Sequence, residues 1–244
     1  MKRLLILLIV LCSVVPAQAQ DADLMIAQAA NFMPAMQEII PAFERDSGLK
    51  VQVTYTSTGK LYGQIINGAP FDIFLAADTL RPERLYAEKI AEKPFVYAKG
   101  RVVLWTRNEH FCKKPWKEIV TNHTVSHVAL ANPETASYGT VTKEMLKKEQ
   151  LWTAMQPKLA IGQTISQVFQ YAATGAADVG FCAYSYMFTP QAKEGCYVPV
   201  NEAAPVIQKA CIISGTEHLE AAETFILYLS SPTVTAIKHK YGYE

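Results

Sequence analysis

Hydrophobic residues along the chain follow two patterns in turn: short apolar or alternating runs, and longer segments with apolar residues three and four positions apart. The short runs predict strands at Leu24–Gln28, Val51–Tyr55, Asp72–Ala76, Val102–Thr106, Val125–Ala131, Ala160–Gly162, Ala177–Phe181, Tyr197–Val200 and Val206–Ser214. The longer segments predict helices at Met33–Arg45, Leu61–Asn67, Asp78 to about Ala91, Val141–Lys148, Ile165–Thr174, Leu219–Leu229 and Pro232–Lys240. Strands that alternate with helices predict an α/β fold, with a parallel sheet covered by helices on both faces.

Several residues mark the ends of these helices. Gly48 follows the first helix, where a glycine commonly ends a helix. Asp78 is the predicted N-cap of the third helix, with Pro82 in its first turn. Ser231 followed by Pro232 is the usual start signal of a helix and predicts the beginning of the last one.

The strand pattern leaves two domain organisations open. The strand-like segments Arg101–Thr106 and Ala204–Ser214 could cross between two lobes, which would make the stretch between them an inserted second lobe. A single α/β domain is also compatible with a chain of 244 residues. The pattern alone does not decide between these organisations.

The first 19 residues have the layout of a cleaved secretory signal peptide. Lys2 and Arg3 precede the apolar run Leu4–Val15, and Ala17-Gln18-Ala19 follows as a cleavage site of small residues. The apolar run is well short of the roughly 20 residues that span a bilayer, which argues against a membrane anchor. We therefore expect a periplasmic protein, exported and cleaved after Ala19.

The charge balance does not favour a polyanion as a partner. Lys and Arg number 23 against 22 Asp and Glu, and cleavage would remove the two basic residues Lys2 and Arg3, which leaves a net charge of about −1. No basic run is dense enough for nucleic acid. No second apolar stretch is long enough to cross a membrane. The mature chain is expected to be soluble and not to bind nucleic acid.

Four cysteines lie beyond the signal peptide: Cys112, Cys182, Cys196 and Cys211. None forms a CxxC pair, so zinc-ribbon and thioredoxin chemistry are not indicated. An oxidising periplasm permits disulfides, and four cysteines allow three complete pairings. Cys196–Cys211 is the pair we predict if a disulfide forms. Buried free thiols on strands are the alternative.

The sequence lacks the motifs of the common catalytic and metal sites. No Gly-x-Ser-x-Gly elbow supplies a hydrolase nucleophile. Thr56-Ser57-Thr58-Gly59-Lys60 is similar to a phosphate loop, but Thr54 and Leu61 stand where a Walker loop needs a glycine and a hydroxyl residue. His123 and His127 border a strand segment, without the glutamate of a zinc-protease helix. We predict no enzyme activity, metal site or cofactor; the alternative, a secreted enzyme, would need a nucleophile–base pair.

Polar residues and backbone donors recur where a predicted strand passes into a helix. These turns carry Asn31, Ser57-Thr58-Gly59, Tyr138-Gly139 and Thr164-Ile165. Ligands of open α/β sheets bind beside the carboxyl ends of strands, where helix N-termini present unpaired N–H groups and a positive dipole end. Such turns could hold an anion without Lys or Arg. The alternative is that Asn31, Thr58 and Thr164 only cap their helices.

Four motifs carry a resemblance to a known family. They are Ala29-Ala30-Asn31-Phe32; Thr56-Ser57-Thr58-Gly59-Lys60 with the following Asn67-Gly68-Ala69-Pro70-Phe71-Asp72 and Ala76-Ala77-Asp78; Ala131-Asn132-Pro133-Glu134-Thr135-Ala136-Ser137-Tyr138-Gly139; and Gly175-Ala176-Ala177-Asp178-Val179-Gly180-Phe181, with the chain ending Tyr241-Gly242-Tyr243-Glu244. Over essentially the whole mature chain, the sequence resembles the periplasmic molybdate-binding proteins of ABC transporters. The similarity is to the branch with asparagine, rather than serine, in the first ligand loop.

This resemblance implies an α/β, two-lobed type II periplasmic-binding-protein fold with mixed, mostly parallel sheets and helices on both faces. Residues 20–100 and 207–244 would form lobe 1 and residues 101–206 an inserted lobe 2, with a hinge near Gly100–Arg101 and Pro205–Gln208. A monomer would close around one molybdate or tungstate ion and deliver it to a membrane permease. The implied donors are Asn31 (side chain and backbone) with Ala30 adjacent, Thr58 (hydroxyl and backbone), Tyr138 and Ile165 (backbone N–H), and Ser57 as a secondary candidate.

Two positions depart from the family pattern. Thr58 stands where serine is usual, and Ala183 stands where another branch has a ligand tyrosine. The neighbouring Tyr184 is not predicted as a ligand. Molybdate carries no proton at pH 7 and only accepts hydrogen bonds, so we expect no Asp or Glu to contact it. Sulfate, a metal chelate or a small organic acid is the alternative ligand, although the candidate loops contain no arginine to bind a carboxylate.

Overall fold

A computed structural model describes residues 22–244, so the predicted signal peptide at 1–19 lies outside the described residues. The described residues form two five-stranded sheets. The first contains β1 (Leu24–Ala29), β2 (Val51–Thr56), β3 (Ile73–Leu75), β4 (Phe95–Gly100) and β10 (Val206–Ile212). The second contains β5 (Val102–Thr106), β6 (Val128–Ala131), β7 (Leu159–Gly162), β8 (Val179–Ala183) and β9 (Cys196–Pro199). We call the first sheet with its helices lobe 1 and the second lobe 2.

The two sheets have the same arrangement. Their strand orders are β2-β1-β3-β10-β4 and β7-β6-β8-β5-β9. Three parallel strands occupy one side of each sheet. A single reversed strand, β10 in lobe 1 and β5 in lobe 2, pairs antiparallel with both of its neighbours. The α/β class and the mixed sheets are confirmed, and the strand pairings of the two sheets are four parallel and four antiparallel.

Helices cover both faces of the lobe 1 sheet. Successive side chains of β1 are therefore buried in two different hydrophobic clusters, one on each face. Ile26 packs with Phe43 and Phe225 on one face, whereas Ala27 packs with Leu61 on the other. The α-helices of the described residues are α1 (Met33–Ser47), α2 (Thr58–Ile66), α3 (Leu80–Ala87), α4 (Trp116–Thr121), α5 (Ser137–Lys148), α6 (Trp152–Met155), α7 (Ile165–Thr174), α8 (Leu219–Leu229) and α9 (Pro232–Lys240). Among residues 22–244, no helix is long and apolar enough to span a membrane.

The chain crosses between the sheets at two places. β4 ends at Gly100 and β5 begins at Val102, so Arg101 alone joins them. The return lies between the end of β9 and the start of β10 at Val206. Gly100 is closely packed at the first crossing, because a Cβ there would lie 2.1 Å from the Tyr138 hydroxyl. The predicted hinge segments lie at these crossings.

Capping residues predicted from the sequence end the helices largely as expected. Gly48 ends α1 with a φ of 77°, and the Ser231 side chain accepts the Val234 N–H at the start of α9. α3 begins at Leu80, with Asp78 one residue outside the N-cap position. The Asp78 carboxylate nevertheless accepts the Arg81 N–H at 3.0 Å. The prediction that the Asp78 side chain accepts a backbone N–H at the start of α3 is therefore correct, but the predicted N-cap position is wrong by one residue.

Other boundaries predicted from periodicity are wrong. α5 begins at Ser137, four residues before the predicted Val141. α3 ends at Ala87 rather than near Ala91, and β6 begins at Val128 rather than Val125. β4, α4 and α6 were not predicted. These three elements are six residues long or shorter, too short for a period to be clear.

The predicted Cys196–Cys211 disulfide is wrong. Cys112 and Cys196 form the disulfide, with Cα atoms 5.6 Å apart. Cys196 belongs to β9 in lobe 2, whereas Cys211 belongs to β10 in lobe 1, so their proximity in sequence does not bring them together. Cys182 and Cys211 are buried free thiols on strands, as the alternative interpretation expected.

Candidate functional site

A small cavity lies between the lobes, where four helical segments begin. Its walls are formed by Ala29, Ala30, Asn31, Thr56, Ser57, Thr58, Ala77, Ala136, Ser137, Tyr138 and Ile165. The cavity volume accessible to the centre of a water molecule is ≈ 10 Å³. That is close to the minimum that holds one water molecule, so the cavity in this conformation has no room for an organic solute. The structure therefore brings the six predicted site residues together around one cavity.

The first wall is the 3-10 turn Ala30–Phe32, which follows β1 directly. The first N–H groups of a helical segment have no partner within it, so Ala30 and Asn31 present backbone donors. The Asn31 Nδ2 donates to Gln208 Oε1 at 2.8 Å and to Tyr243 Oη at 3.1 Å, which uses both amide hydrogens. With the amides in this orientation both Asn31 hydrogens are engaged within lobe 1, whereas Asn31 Oδ1 and Gln208 Nε2 are buried without a partner. The backbone N–H groups are the donors that this turn presents, and donation by the Asn31 side chain to a ligand stays a prediction.

A buried polar network holds this turn from below. The Tyr97 hydroxyl donates to Gln208 Oε1 at 3.0 Å, and the Tyr243 hydroxyl donates to the Asn31 carbonyl at 2.8 Å. A β-bulge in β10 lies between Gln208 and Lys209, and bulges re-aim side chains in this way. Burial raises the pKa of Tyr97 and Tyr243 above its ordinary value, so both hydroxyls stay neutral.

The second wall is the start of α2. Thr58 Oγ1 accepts the Ala77 N–H at 3.1 Å, which leaves the hydroxyl hydrogen available for donation. Ser57 is 3% exposed, and its Oγ is buried without a hydrogen-bond partner in the protein. Neither hydroxyl makes a capping bond at the start of α2. The capping alternative therefore does not describe Thr58.

The third and fourth walls are the starts of α5 and α7. Because α5 begins at Ser137, the Tyr138 N–H lies in the first turn, where backbone donors have no helical partner. Ile165 is the first residue of α7 and its N–H is in the same situation. The Thr164 side chain accepts the Gln167 N–H at 3.1 Å, so the capping alternative is correct for Thr164.

The electrostatics of the cavity favour an anion without supplying a formal countercharge. No Asp, Glu, Lys or Arg is among the residues that form its walls. Each helix N-terminus carries a partial positive charge, and several such ends pointing at one place form a ready site for an anion. The arrangement can bind an acceptor-only ion through neutral donors.

The lobes are in contact on both sides of this cavity. Ser185 Oγ of lobe 2 donates to the Asn31 carbonyl at 2.7 Å, and Tyr186 Oη donates to the Ala30 carbonyl at 2.8 Å. On the opposite side, the Gly59 N–H donates to the Thr135 carbonyl at 2.8 Å. The structure is therefore a closed conformation.

Comparison with known proteins places this architecture in a family. The sequence profile described as bacterial extracellular solute-binding protein matches residues 24–244. The chain belongs to this solute-binding protein family. Within it, the chain is 37% identical to the molybdate-binding protein ModA of Azotobacter vinelandii over 230 residues, which cover 92% of this chain and 91% of that protein. It is 34% identical to ModA of Rhodobacter capsulatus, covering 92% and 89%. The resemblance inferred from the four motifs is confirmed.

Solved structures agree with the assignment of this chain to the solute-binding protein family. The periplasmic molybdate-binding protein of Azotobacter vinelandii matches with a TM-score of 0.84 and 29% identity, covering 91% of this chain and 98% of that one. The sulfate-binding protein SubI of Mycobacterium tuberculosis matches with a TM-score of 0.72 at 15% identity, covering 90% and 85%. The second match shows a shared fold alone. The predicted type II periplasmic-binding-protein fold is confirmed.

Tyr243 and Ser137 of this solute-binding protein stand in the motifs that carry the family resemblance, but their contacts with the donor residues were not predicted from the sequence. Tyr243 is 212 residues from Asn31 in the chain, and no local pattern connects the two. Ser137 places a hydroxyl at the cavity wall and stands inside the third motif. Because the helix was predicted to begin at Val141, Ser137 was not recognised as a residue of the helix start. If the helix had been predicted to begin at Ser137, this residue would have been recognised as a candidate at the ligand site.

Proposed function

We propose that this solute-binding protein captures molybdate in the periplasm and delivers it to the membrane permease of an ABC transporter. The observation that carries the proposal is the convergence of four helix N-termini on a small cavity with neutral walls. The molybdate-binding relatives, at 37% and 34% identity over nearly the whole chain, support this choice of oxyanion.

The chemistry of the walls suits a fully deprotonated oxyanion. Molybdate is a dianion that only accepts hydrogen bonds at pH 7, and the cavity offers backbone N–H groups and the hydroxyls of Ser57 and Thr58. Phosphate keeps a proton near pH 7 and needs an acceptor, which a carboxylate would supply. Tungstate has the same charge and nearly the same size, so it is expected to bind as well.

The proposal includes no catalytic step and no resident cofactor. Binding needs only hydrogen bonds from lobe 1 and lobe 2 to one ion, and contacts made with both lobes favour the closed state. The protein would act as a monomer, exported by the signal peptide at 1–19, with no nucleic acid as a partner.

Isothermal titration of the mature, anion-free protein with molybdate, tungstate, sulfate and phosphate tests this proposal. We expect one-to-one binding of the first two ions and no heat from the others. The affinity should be constant between pH 7 and 9, because neither the ion nor the neutral donors titrate there. Binding of sulfate alone would reassign the ligand, and silence from all four ions would overturn the proposal.

Ser57→Ala makes the same titration specific for the cavity. The Ser57 hydroxyl has no partner within the protein, so its loss breaks no internal hydrogen bond. If it donates to the ion, the loss of one such bond weakens affinity by about tenfold. Ser126→Ala removes an exposed hydroxyl of lobe 2 and is the matched control. Equal affinity in both variants would remove Ser57 from the ligand set.

A further inference from the structure

Asp78 and Arg81 line a neighbouring pocket and contact the cavity wall only through Ser137, so they have no part in the proposed ligand set. The Asp78 carboxylate accepts the Arg81 N–H through Oδ1 and the Arg81 Nη1 through Oδ2. The two side chains are each 19% exposed, so the pair is largely withdrawn from water. Asp78 directly follows Ala77, whose backbone N–H holds Thr58. The pair is therefore built onto the same loop of lobe 1 that supports a candidate ligand residue.

Both members of the pair also reach lobe 2. Asp78 Oδ2 accepts a hydrogen bond from Ser137 Oγ at 2.8 Å. Arg81 Nη2 donates to the Glu134 carbonyl at 3.2 Å. Ser137 opens α5 and Glu134 lies in the loop that precedes it. One ion pair of lobe 1 thus holds the beginning of a lobe 2 helix at two points.

The same contacts connect to the cavity through Ser137. Its Oγ lies 3.3 Å from Thr58 Oγ1, and both residues form part of the cavity wall. Because Asp78 accepts the only hydroxyl hydrogen of Ser137, Ser137 presents lone pairs towards Thr58. The Thr58 hydroxyl hydrogen then has two acceptors within reach, Ser137 and a bound oxyanion.

We propose that Asp78 and Arg81 form a clasp that holds the lobes closed over the bound oxyanion and sets its rate of release. Both are positioning residues, since they act through Ser137, Thr58 and the loop before α5. The clasp can form only when the lobes meet, so it adds contacts to the closed state that the open state lacks. This inference rests on the proposed function for its choice of ligand.

Charge alone would give a different pattern of effects. The Asp78 carboxylate repels an anion and the Arg81 guanidinium attracts it. If only charge mattered, Asp78→Ala would bind the dianion more tightly and Arg81→Gln more weakly. If the pair is a clasp, both substitutions speed release, because each removes hydrogen bonds across the cleft. Asp78→Ala is therefore the variant for which the two explanations predict opposite signs.

Stopped-flow kinetics of molybdate binding to the mature protein separate these explanations. We expect Asp78→Ala and Arg81→Gln each to raise the dissociation rate roughly tenfold, the effect of losing charge-assisted hydrogen bonds that are partly screened. The association rate should change less than threefold. Arg84→Gln makes the same charge change at an exposed position of α3 and should match the wild type. Slower release from Asp78→Ala, or wild-type release from both clasp variants, would overturn the proposal.

A second measurement tests the clasp without any ligand. Spin labels on cysteines introduced at the exposed positions Glu88 and Lys148 report the distance between the lobes. In the labelled protein, Arg81→Gln should shift the distance distribution towards the open form, and Arg84→Gln should not. An unchanged distribution in Arg81→Gln would refute the clasp. If wild-type protein does not bind molybdate, the proposed function fails by itself, and this measurement still decides the clasp.

Discussion

The Asn31 carbonyl accepts a hydrogen bond from each lobe, from Tyr243 Oη at 2.8 Å and from Ser185 Oγ at 2.7 Å. Tyr243 belongs to lobe 1 and accepts Asn31 Nδ2 in return at 3.1 Å. Ser185 belongs to lobe 2, so its bond exists only while the lobes are in contact. At the scale of the residue, Asn31 is thus held by its own lobe and met by the other when the cleft closes.

Tyr243→Phe should weaken molybdate binding about tenfold. The substitution keeps the ring but removes the hydroxyl that accepts from Asn31 Nδ2 and donates to the Asn31 carbonyl. Leaving these buried groups with one partner fewer costs about 1–3 kcal/mol of folding free energy. Part of that cost falls on the ligand turn, whose backbone N–H groups lose their fixed direction. Isothermal titration measures the affinity, and thermal unfolding of the ligand-free protein measures any loss of stability.

Tyr241→Phe is the matched control for that variant. Its hydroxyl donates to Glu38 at 2.6 Å in a partly buried contact, and neither residue forms part of the cavity wall. We expect its molybdate affinity to equal that of the wild type. If both variants bound equally well, the Tyr243 hydroxyl would have no role in positioning the ligand turn.

At the scale of the residue, the sequence motifs predicted which residues form the cavity wall, but not the distant side chains that hydrogen-bond to them. Ala30, Asn31, Ser57, Thr58, Tyr138 and Ile165 lie on one cavity because each stands at a strand-to-helix turn, a local feature that sequence displays. Gln208 and Tyr243 reach Asn31 from other elements, across 177 and 212 residues of chain. The use of both Asn31 amide hydrogens depends on those distant partners, so sequence could not reveal it.

α5 shows how an element can be placed by contacts that local preference does not favour. Its first three residues, Ser137, Tyr138 and Gly139, are weak helix formers, which is why periodicity predicted the helix from Val141. In the structure, Ser137 is bonded to Asp78 of lobe 1 and Gly139 packs against the end of β6. Tertiary contacts therefore extend the helix by one turn, and that turn carries the Tyr138 N–H to the cavity.

Gly139→Ala should destabilise the protein and weaken ligand binding. A Cβ at position 139 would lie 2.0 Å from the Ala131 carbonyl oxygen, so the start of α5 must move away from β6. We expect a loss of about 2–3 kcal/mol in the free energy of unfolding, similar to other substitutions that overpack a core. Urea unfolding measures the stability, and titration with molybdate measures the displacement of Tyr138.

Gly63→Ala is the control within another helix of the site. It lies in α2, and a Cβ there meets no atom within 4 Å. Replacing a helical glycine by alanine stabilises a helix by about 0.5–1 kcal/mol. We therefore expect opposite signs for the two substitutions. A stabilised Gly139→Ala would show that the approach of α5 to β6 is not what requires glycine.

On the scale of the whole molecule, the alternation of strands and helices predicted the fold class, whereas long-range pairings decided its details. The two sheets repeat one strand order, with β10 and β5 as the reversed strands. β10 follows the whole of lobe 2 in sequence and yet pairs with β3 and β4. This return explains the wrong disulfide prediction. Cys211 lies in β10, which belongs to lobe 1, whereas Cys196 lies in β9 of lobe 2.

The Cys112–Cys196 disulfide should stabilise lobe 2 while leaving the binding site unchanged. It links residues 84 positions apart, a loop for which a disulfide contributes about 2–4 kcal/mol by restricting the unfolded chain. Neither cysteine forms part of the cavity wall. We expect a reducing agent to lower the urea midpoint of the wild type and to leave the molybdate affinity of the folded protein within about twofold.

The double variant Cys112→Ser/Cys196→Ser separates the disulfide from the two other cysteines. Burial raises the pKa of the Cys211 thiol to about 12 and that of Cys182 above its ordinary value, so neither supplies a thiolate for exchange in the folded protein. The double variant should therefore unfold at the midpoint of the reduced wild type, with or without reducing agent. A midpoint that still responds to reduction would mean that Cys182 and Cys211 form a disulfide of their own, which their separation into different lobes argues against.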